Sequence, residues 1–285
     1  MSDSDKAPAW TVPAMRTGYA ARGAVYTVVG VLALMAAIYG GNAQGTQNAL
    51  SDLKSQSWGT AALVLIALGL ICYAAWRVID AWMDLDRHGS KMKGLAARTG
   101  LVITGLIHGA LGISVGTMAI GNGGGSGGGG VGSFTGKIMQ MPGGQVIVGV
   151  IGLGVIGAGV YYVLKGVQEK YRRDIRTTQV TLKLDPAMKA GFIAEGIVVG
   201  IIGVLIVMAA LTHDPSQAGG VGAALDRIRS AAFGRILLAA IAVGLIGFAI
   251  ENFVEAVYRI VPARAGDDVQ TLARRAKQKA EAAAT

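Results

Sequence analysis

The chain has 285 residues, 52% of them hydrophobic, a mean hydropathy of +0.51 and only 15% charged residues. A soluble globular domain carries about 25% charged residues, so this chain has too little solvating surface for one. Its single cysteine, Cys72, excludes an intramolecular disulfide and a thiolate zinc site. The net charge of +9 is no nucleic-acid signature, because the basic residues lie between apolar spans rather than on one tail or helix face.

Residues 1–15 read as a disordered cytoplasmic N-terminus. Six stretches then approach the ~20 apolar residues that an α-helix needs to cross a bilayer: about Gly23–Tyr39, Trp58–Trp76, Gly100–Ile120, Gln145–Leu164, Ala190–Leu211 and Phe233–Ile250. The only Lys, Arg, Asp or Glu inside them are Glu195 and Arg235. Three connections on one side, Asn48–Lys54, Ser133–Met139 and Gly222–Arg229, fit short surface helices. The Gly-rich outer loop over 121–133 satisfies G-x-G-x-x-G trivially and reads as a flexible linker, not a nucleotide site. The segment Lys165–Lys189 carries seven basic residues, which suits attraction to anionic lipid headgroups. The stretch 263–285 reads as a basic cytoplasmic tail with a short surface helix begun at Asp267.

Lys and Arg set the orientation. The termini and the loops on their side hold 20 of them: Lys6, Arg16, Arg22; Arg87, Lys91, Lys93, Arg98; the seven of Lys165–Lys189; and Arg259, Arg264, Arg274, Arg275, Lys277, Lys279. The opposite side holds 5: Lys54, Lys137, Arg227, Arg229 and Arg235. Both termini are therefore predicted to be cytoplasmic, in the inner membrane of a bacterium.

The spans repeat. Arg16, Gly18, Arg22, Gly23, Tyr26, Gly30 recur 82 residues later as Arg98, Gly100, Thr104, Gly105, His108, Gly112, and 173 residues later as Lys189, Gly191, Glu195, Gly196, Val199, Gly203. In the second helices Gly59 and Gly69 correspond to Gly144 and Gly154, then to Gly234 and Gly244. The fold class is thus all-α: an integral membrane bundle of six transmembrane helices, built as three parallel two-helix repeats over 16–83, 98–168 and 188–260. Three equivalent hairpins suggest a pseudo-threefold ring, with a linear row as the alternative. The pattern Arg-x-Gly-x-x-x-Arg-Gly-x-x-Tyr-x-x-x-Gly resembles the bacterial membrane family defined by domain of unknown function 1206, over roughly residues 16–260. The resemblance implies three tandem two-helix domains and brings no catalytic or binding residues with it.

Gly23, Thr27, Gly30 and their counterparts form small-xxx-small ridges for close helix packing. Beside them, Arg22, Glu195, Glu251, Asp80 and Arg77 are predicted to share one layer near the cytoplasmic boundary. An ionised group at mid-bilayer costs about 2.5–3.5 kcal/mol on the insertion scale. Either ion pairs such as Arg22–Glu195 offset that cost, or the layer lines a vestibule that binds an ion or a small polar molecule. His108 replaces Tyr26 one repeat on. It is expected to be hydrogen-bonded to Tyr26, or to act as a proton relay or pH gate. His88 and His213 fall in loops on opposite sides, which argues against bis-histidine haem, and no cofactor is expected.

There is no nucleophile–base pair, metal-ligand cluster or fixed carboxylate pair in the sequence, so a non-enzyme is favoured over a lipid-modifying enzyme. The expected function is permeation of a small ion or polar solute, or ligand binding, through the vestibule formed by Arg22, Tyr26, His108, Glu195, Glu251, Asp80 and Arg77. The alternative is a structural or accessory subunit packed against another membrane protein, another copy of itself or lipid.

Overall fold

The computed structural model describes residues 10–121, 130–262 and 271–284. Six long helices in it are long and apolar enough to cross a membrane: α1 (Thr11–Tyr39), α3 (Gly59–Met83), α4 (Met92–Ala119), α6 (Gly144–Val167), α7 (Gln179–Thr212) and α9 (Gly234–Tyr258). The protein is a multi-pass membrane protein. Three short helices, α2 (Thr46–Lys54), α5 (Val131–Met139) and α8 (Val221–Arg229), lie at one end, where the sequence places them. At the other, basic end, the 3-10 turn Lys170–Arg173 and α10 (Leu272–Ala284) pack together. Residues 1–9, most of the glycine-rich loop (122–129) and the expected tail helix start at Asp267 lie outside the described residues.

Helix α1 begins at Thr11, so residues 11–15 are helical where disorder is expected from the sequence. The reason is tertiary. Met15 is buried against Tyr19, Tyr73, Trp76 and Leu85, which rewards the extra turn.

Each repeat starts its second helix directly beneath its short helix. A Cβ at Gly59, Gly144 or Gly234 would fall on the carbonyl oxygen of Leu53, Ile138 or Arg229, so only glycine allows that approach. Basic side chains then cap neighbouring helix ends, where the last carbonyls lack intrahelical partners. Arg98 donates from Nε to the Ala81 carbonyl at 2.6 Å, Lys54 to the Met118 carbonyl at 2.6 Å, and Arg235 to the carbonyls of Ala37 and Ile38. The charge of Arg235 is thereby explained as a cap on α1.

The long helices pack in the order α4, α3, α1, α9, α7, α6. Every first helix lays its glycine ridge on the second helix of the preceding repeat. A Cβ on Gly30 would meet Ile246 of α9, one on Gly112 would meet Leu70 of α3, and one on Gly203 would meet Ile156 of α6. Within repeats, α1 meets α3 and α7 meets α9. There Gly18 approaches the Tyr73 backbone and Gly191 the Phe248 backbone, while Gly69 nests on Ala21 and Gly244 on Ala194.

Repeat 2 departs from this plan. Helices α4 and α6 share no packed interface. Gly100 and Gly154, the counterparts of the glycines that close the other two hairpins, and Gly157, the counterpart of Cys72 and Gly247, meet nothing among the described residues within 4 Å of a built Cβ. Only 17% of the most apolar window of α4 or α6 is buried, against 39–50% in the other four helices. The threefold ring of the sequence reading is therefore a ring broken at one seam. The sequence differs at this crossing. Ile103 stands where Ala21 and Ala194 fit beneath a glycine in the other two repeats, and a β-branched side chain there is too large for the same close crossing.

Candidate functional site

The broken ring surrounds two different fillings. Toward the short helices it is apolar: Val29, Ala33, Leu63, Leu70, Leu238 and Leu245, among others, form one buried cluster. Toward the basic end it is polar and aromatic, and side chains from all six long helices meet there.

Arg22 of α1 is the hub of that layer. It is 4% exposed, and its Nη1 donates to the Tyr73 hydroxyl at 2.8 Å. Its guanidinium carbon lies 4.8 Å from the Tyr73 ring centroid, 5.5 Å from Phe248 and 5.6 Å from Tyr26. Such placement over ring faces gives cation–π attraction. Its Nε has no hydrogen-bond partner. The electrostatic surroundings of Arg22 also include Tyr162 of α6 and Glu251 of α9.

The ion pair Arg22–Glu195 expected from the sequence does not form. Glu195 of α7 instead accepts from the Tyr26 hydroxyl at 2.5 Å. The expected Tyr26–His108 hydrogen bond is also absent. The His108 ring stacks edge-on to Tyr73 at 4.9 Å, with Nδ1 2.8 Å from the Thr104 carbonyl of its own helix. Both differences have one origin: α1 sits between α3 and α9, so Arg22 and Tyr26 meet what those neighbours and the ring axis offer.

Arg77 and Asp80 extend the layer toward the basic end. Arg77 Nε donates to the Tyr73 hydroxyl at 2.8 Å and Nη2 to the Tyr19 hydroxyl at 2.8 Å, with Asp80 at 3.7 Å. Tyr73 thus accepts from two arginines. It escaped the sequence reading because its repeat counterparts, Ala158 and Phe248, are apolar. The usable signal is its place one turn after Gly69 on the same face. Glu251 and Glu255 are 2% and 1% exposed on α9. Arg259, just past α9, pairs with Glu255 and, at 2.5 Å, with Asp86 in the α3–α4 loop. Burial pushes the Asp86 carboxyl up, but Arg259 and then Arg77 more than offset this and hold it below the ordinary carboxylate range. Asp174, in the α6–α7 connection, goes the other way: burial raises it above that range against the pull of Arg259 and Lys165.

Lys165 of α6 occupies the repeat position of Asp80 and Glu255. Its ammonium lies 4.5 Å from the Phe192 ring centroid and makes no hydrogen bond or ion pair among the described residues. No group of three or more His, Cys, Asp or Glu with metal-binding geometry occurs among the described residues.

The comparison with known proteins matches this threefold build. The profile described as "Domain of Unknown Function (DUF1206)" matches three times in tandem, at residues 17–84, 99–169 and 190–259. The chain belongs to this DUF1206 family. Each match covers one two-helix repeat with its short helix, so the broken seam lies inside the second DUF1206 unit. The chain is 28% identical over 248 residues to "Uncharacterized protein YxxB" of Bacillus subtilis (strain 168), covering 86% of this chain and 90% of that one. No solved structure matches the chain.

Proposed function

We propose that this DUF1206 protein is a non-enzymatic protein of the bacterial inner membrane, with both termini cytoplasmic, and that its polar layer binds a small anionic group from the cytoplasmic side. Arg22 carries this reading. A buried cation needs a counter-charge at hydrogen-bond range to offset its lost hydration, and Arg22 has hydroxyls and ring faces but no carboxylate bonded to it. Tyr26, His108 and Tyr73 shape the surroundings of the guanidinium. Glu195 is bonded to Tyr26, and Glu251 acts on Arg22 electrostatically without a hydrogen bond to it. Of the two expectations, binding and permeation, binding is favoured, because the buried cluster around Val29, Leu63 and Leu245 fills the ring with apolar side chains toward the other face.

The test is a titration of the detergent-purified chain with inorganic phosphate and small carboxylates, read by intrinsic Trp and Tyr fluorescence, since Trp76 and Tyr73 lie in this layer. Saturable binding that Arg22→Gln abolishes is expected, with no flux of the same anions into proteoliposomes. Binding undiminished in Arg22→Gln, or Arg22-dependent flux, would refute the reading.

A further inference from the structure

The broken seam between α4 and α6 lacks the helix contact that closes the other two repeats. Two repeats show what a closed seam looks like. Ala21 under Gly69 and Ala194 under Gly244 bring the backbones together and bury everything behind them. In repeat 2 the same faces are bare. Ile103 and Ile107 of α4 are 52% and 60% exposed, and Tyr161 of α6, the counterpart of the buried Trp76 and Glu251, is 59% exposed. Gly154 and Gly157 line the α6 side with no neighbour.

The gap is apolar along its length and basic at one end. Lys165 follows Gly154 by eleven residues, close to three helical turns, so it shares the seam face. Its ammonium lies over the Phe192 ring and makes no hydrogen bond or ion pair among the described residues, and the acids that act on it electrostatically are Glu255, Glu251 and Asp174. Deeper in the layer Arg22 is more than nine-tenths buried with an unpartnered Nε, and its electrostatic neighbours include Tyr162 of α6 and Glu251 of α9. Tyr73, whose ring Arg22 shares, carries His108 from the α4 side. A glycine-lined slot with a cation at the depth of the basic loops matches one kind of molecule in its surroundings: an amphiphile with apolar chains and an anionic head.

We infer that the α4–α6 seam is a lateral binding site for an anionic phospholipid, with an acyl chain lying along Ile103, Ile107, Gly154 and Gly157 and the phosphate held by Lys165 in front of Arg22. This rests on the anion-binding reading of Arg22 and names the ligand class. Glycine at 154 and 157 leaves room for the chain, which any larger residue would occupy. The tyrosine and lysine at 161 and 165 sit where glycerol and phosphate of a lipid meet the interface.

The experiment uses the full chain in a mild non-ionic detergent and two probes, dioleoyl-phosphatidylglycerol and inorganic phosphate. Native mass spectrometry counts retained lipid. Thermal melting reads the shift that each probe causes. The unsubstituted chain is expected to retain phosphatidylglycerol over phosphatidylcholine and to be stabilised by it. Gly154→Leu fills open space, so the protein is expected to melt at its usual temperature without lipid but to lose both retention and shift. Lys165→Gln is expected to bind the lipid about fivefold more weakly, the equivalent of about 1 kcal/mol for one headgroup contact. Retention unchanged in both Gly154→Leu and Lys165→Gln overturns the site. If Gly154→Cys, in a Cys72→Ser background, forms a disulfide-linked dimer at high yield in native membranes, the seam is filled by a second copy and the inference is equally overturned. The anion-binding reading fails separately: Arg22→Gln would then leave the phosphate response intact, whatever the lipid does.

Discussion

One substitution made at three related places tests the broken ring directly. Gly18, Gly100 and Gly191 hold the same position in the three repeats, and their sequence contexts suggest equal consequences for alanine. The structure assigns them opposite ones. A Cβ on Gly18 would lie 2.6 Å from the Tyr73 Cα, and one on Gly191 would lie 2.6 Å from the Phe248 Cα. Ordinary carbon contacts are about 3.5–4.0 Å. The obstacle is backbone, so no rotamer can yield, and the helices must separate by about 1 Å. Overpacking of this kind costs about 1–3 kcal/mol, and loss of close interhelical packing along the crossing puts Gly18→Ala and Gly191→Ala at the upper end. Gly100→Ala meets nothing within 4 Å. It keeps only the propensity gain of alanine over glycine in a helix, up to about 1 kcal/mol. The two classes are therefore separated by about 3 kcal/mol. Reversible unfolding in mixed micelles with increasing SDS, followed by helical circular dichroism, measures all three. Equal destabilisation at the three positions would show that α4 and α6 are closed in the bilayer and would refute the broken ring.

Three further outcomes follow from named contacts. Tyr73→Phe removes the acceptor of Arg22 and Arg77; with hydrogen bonds to charged groups worth about 1.5–3 kcal/mol each, it is expected to cost about 3 kcal/mol in the same unfolding assay, whereas Tyr161→Phe, with its exposed ring, is expected to be neutral. Ile103→Ala restores the small residue of the other two repeats and is expected to bring α4 and α6 closer, seen as a shorter distance between spin labels on the two helices by pulsed dipolar spectroscopy. Asp86 is held below the unfolded carboxylate value of about 3.9 by Arg259 and Arg77, so its contribution is present above that pH and lost as pH falls through it toward the lower folded value; Asp86→Asn is expected to be less stable at neutral pH and to lose less stability than the unsubstituted chain on acidification below about pH 4.

The order of spans, their three-part repeat and the short helices at one end were legible in the sequence because each is a local property. Apolar length makes a span, and a glycine every turn or two marks a face meant for close approach. The open seam was not anticipated, because one Ile103 in place of Ala21 and Ala194 reads as an ordinary apolar exchange until the crossing geometry is known. Partner choice was not legible in this way. Arg22 and Glu195 occupy one column of the repeat, and opposite charges at one depth suggest a pair. Whether they meet depends on which helix stands between α1 and α7. That place is taken by α9, whose Phe248 shares the guanidinium with Tyr73, while Tyr26 reaches past it to Glu195. The repeats set the depth of each polar group, since depth follows from position along a helix. Only the tertiary packing decided its neighbours and left one hairpin unclosed, because a side chain's partners are settled by contacts a few ångströms long between helices that are distant in sequence.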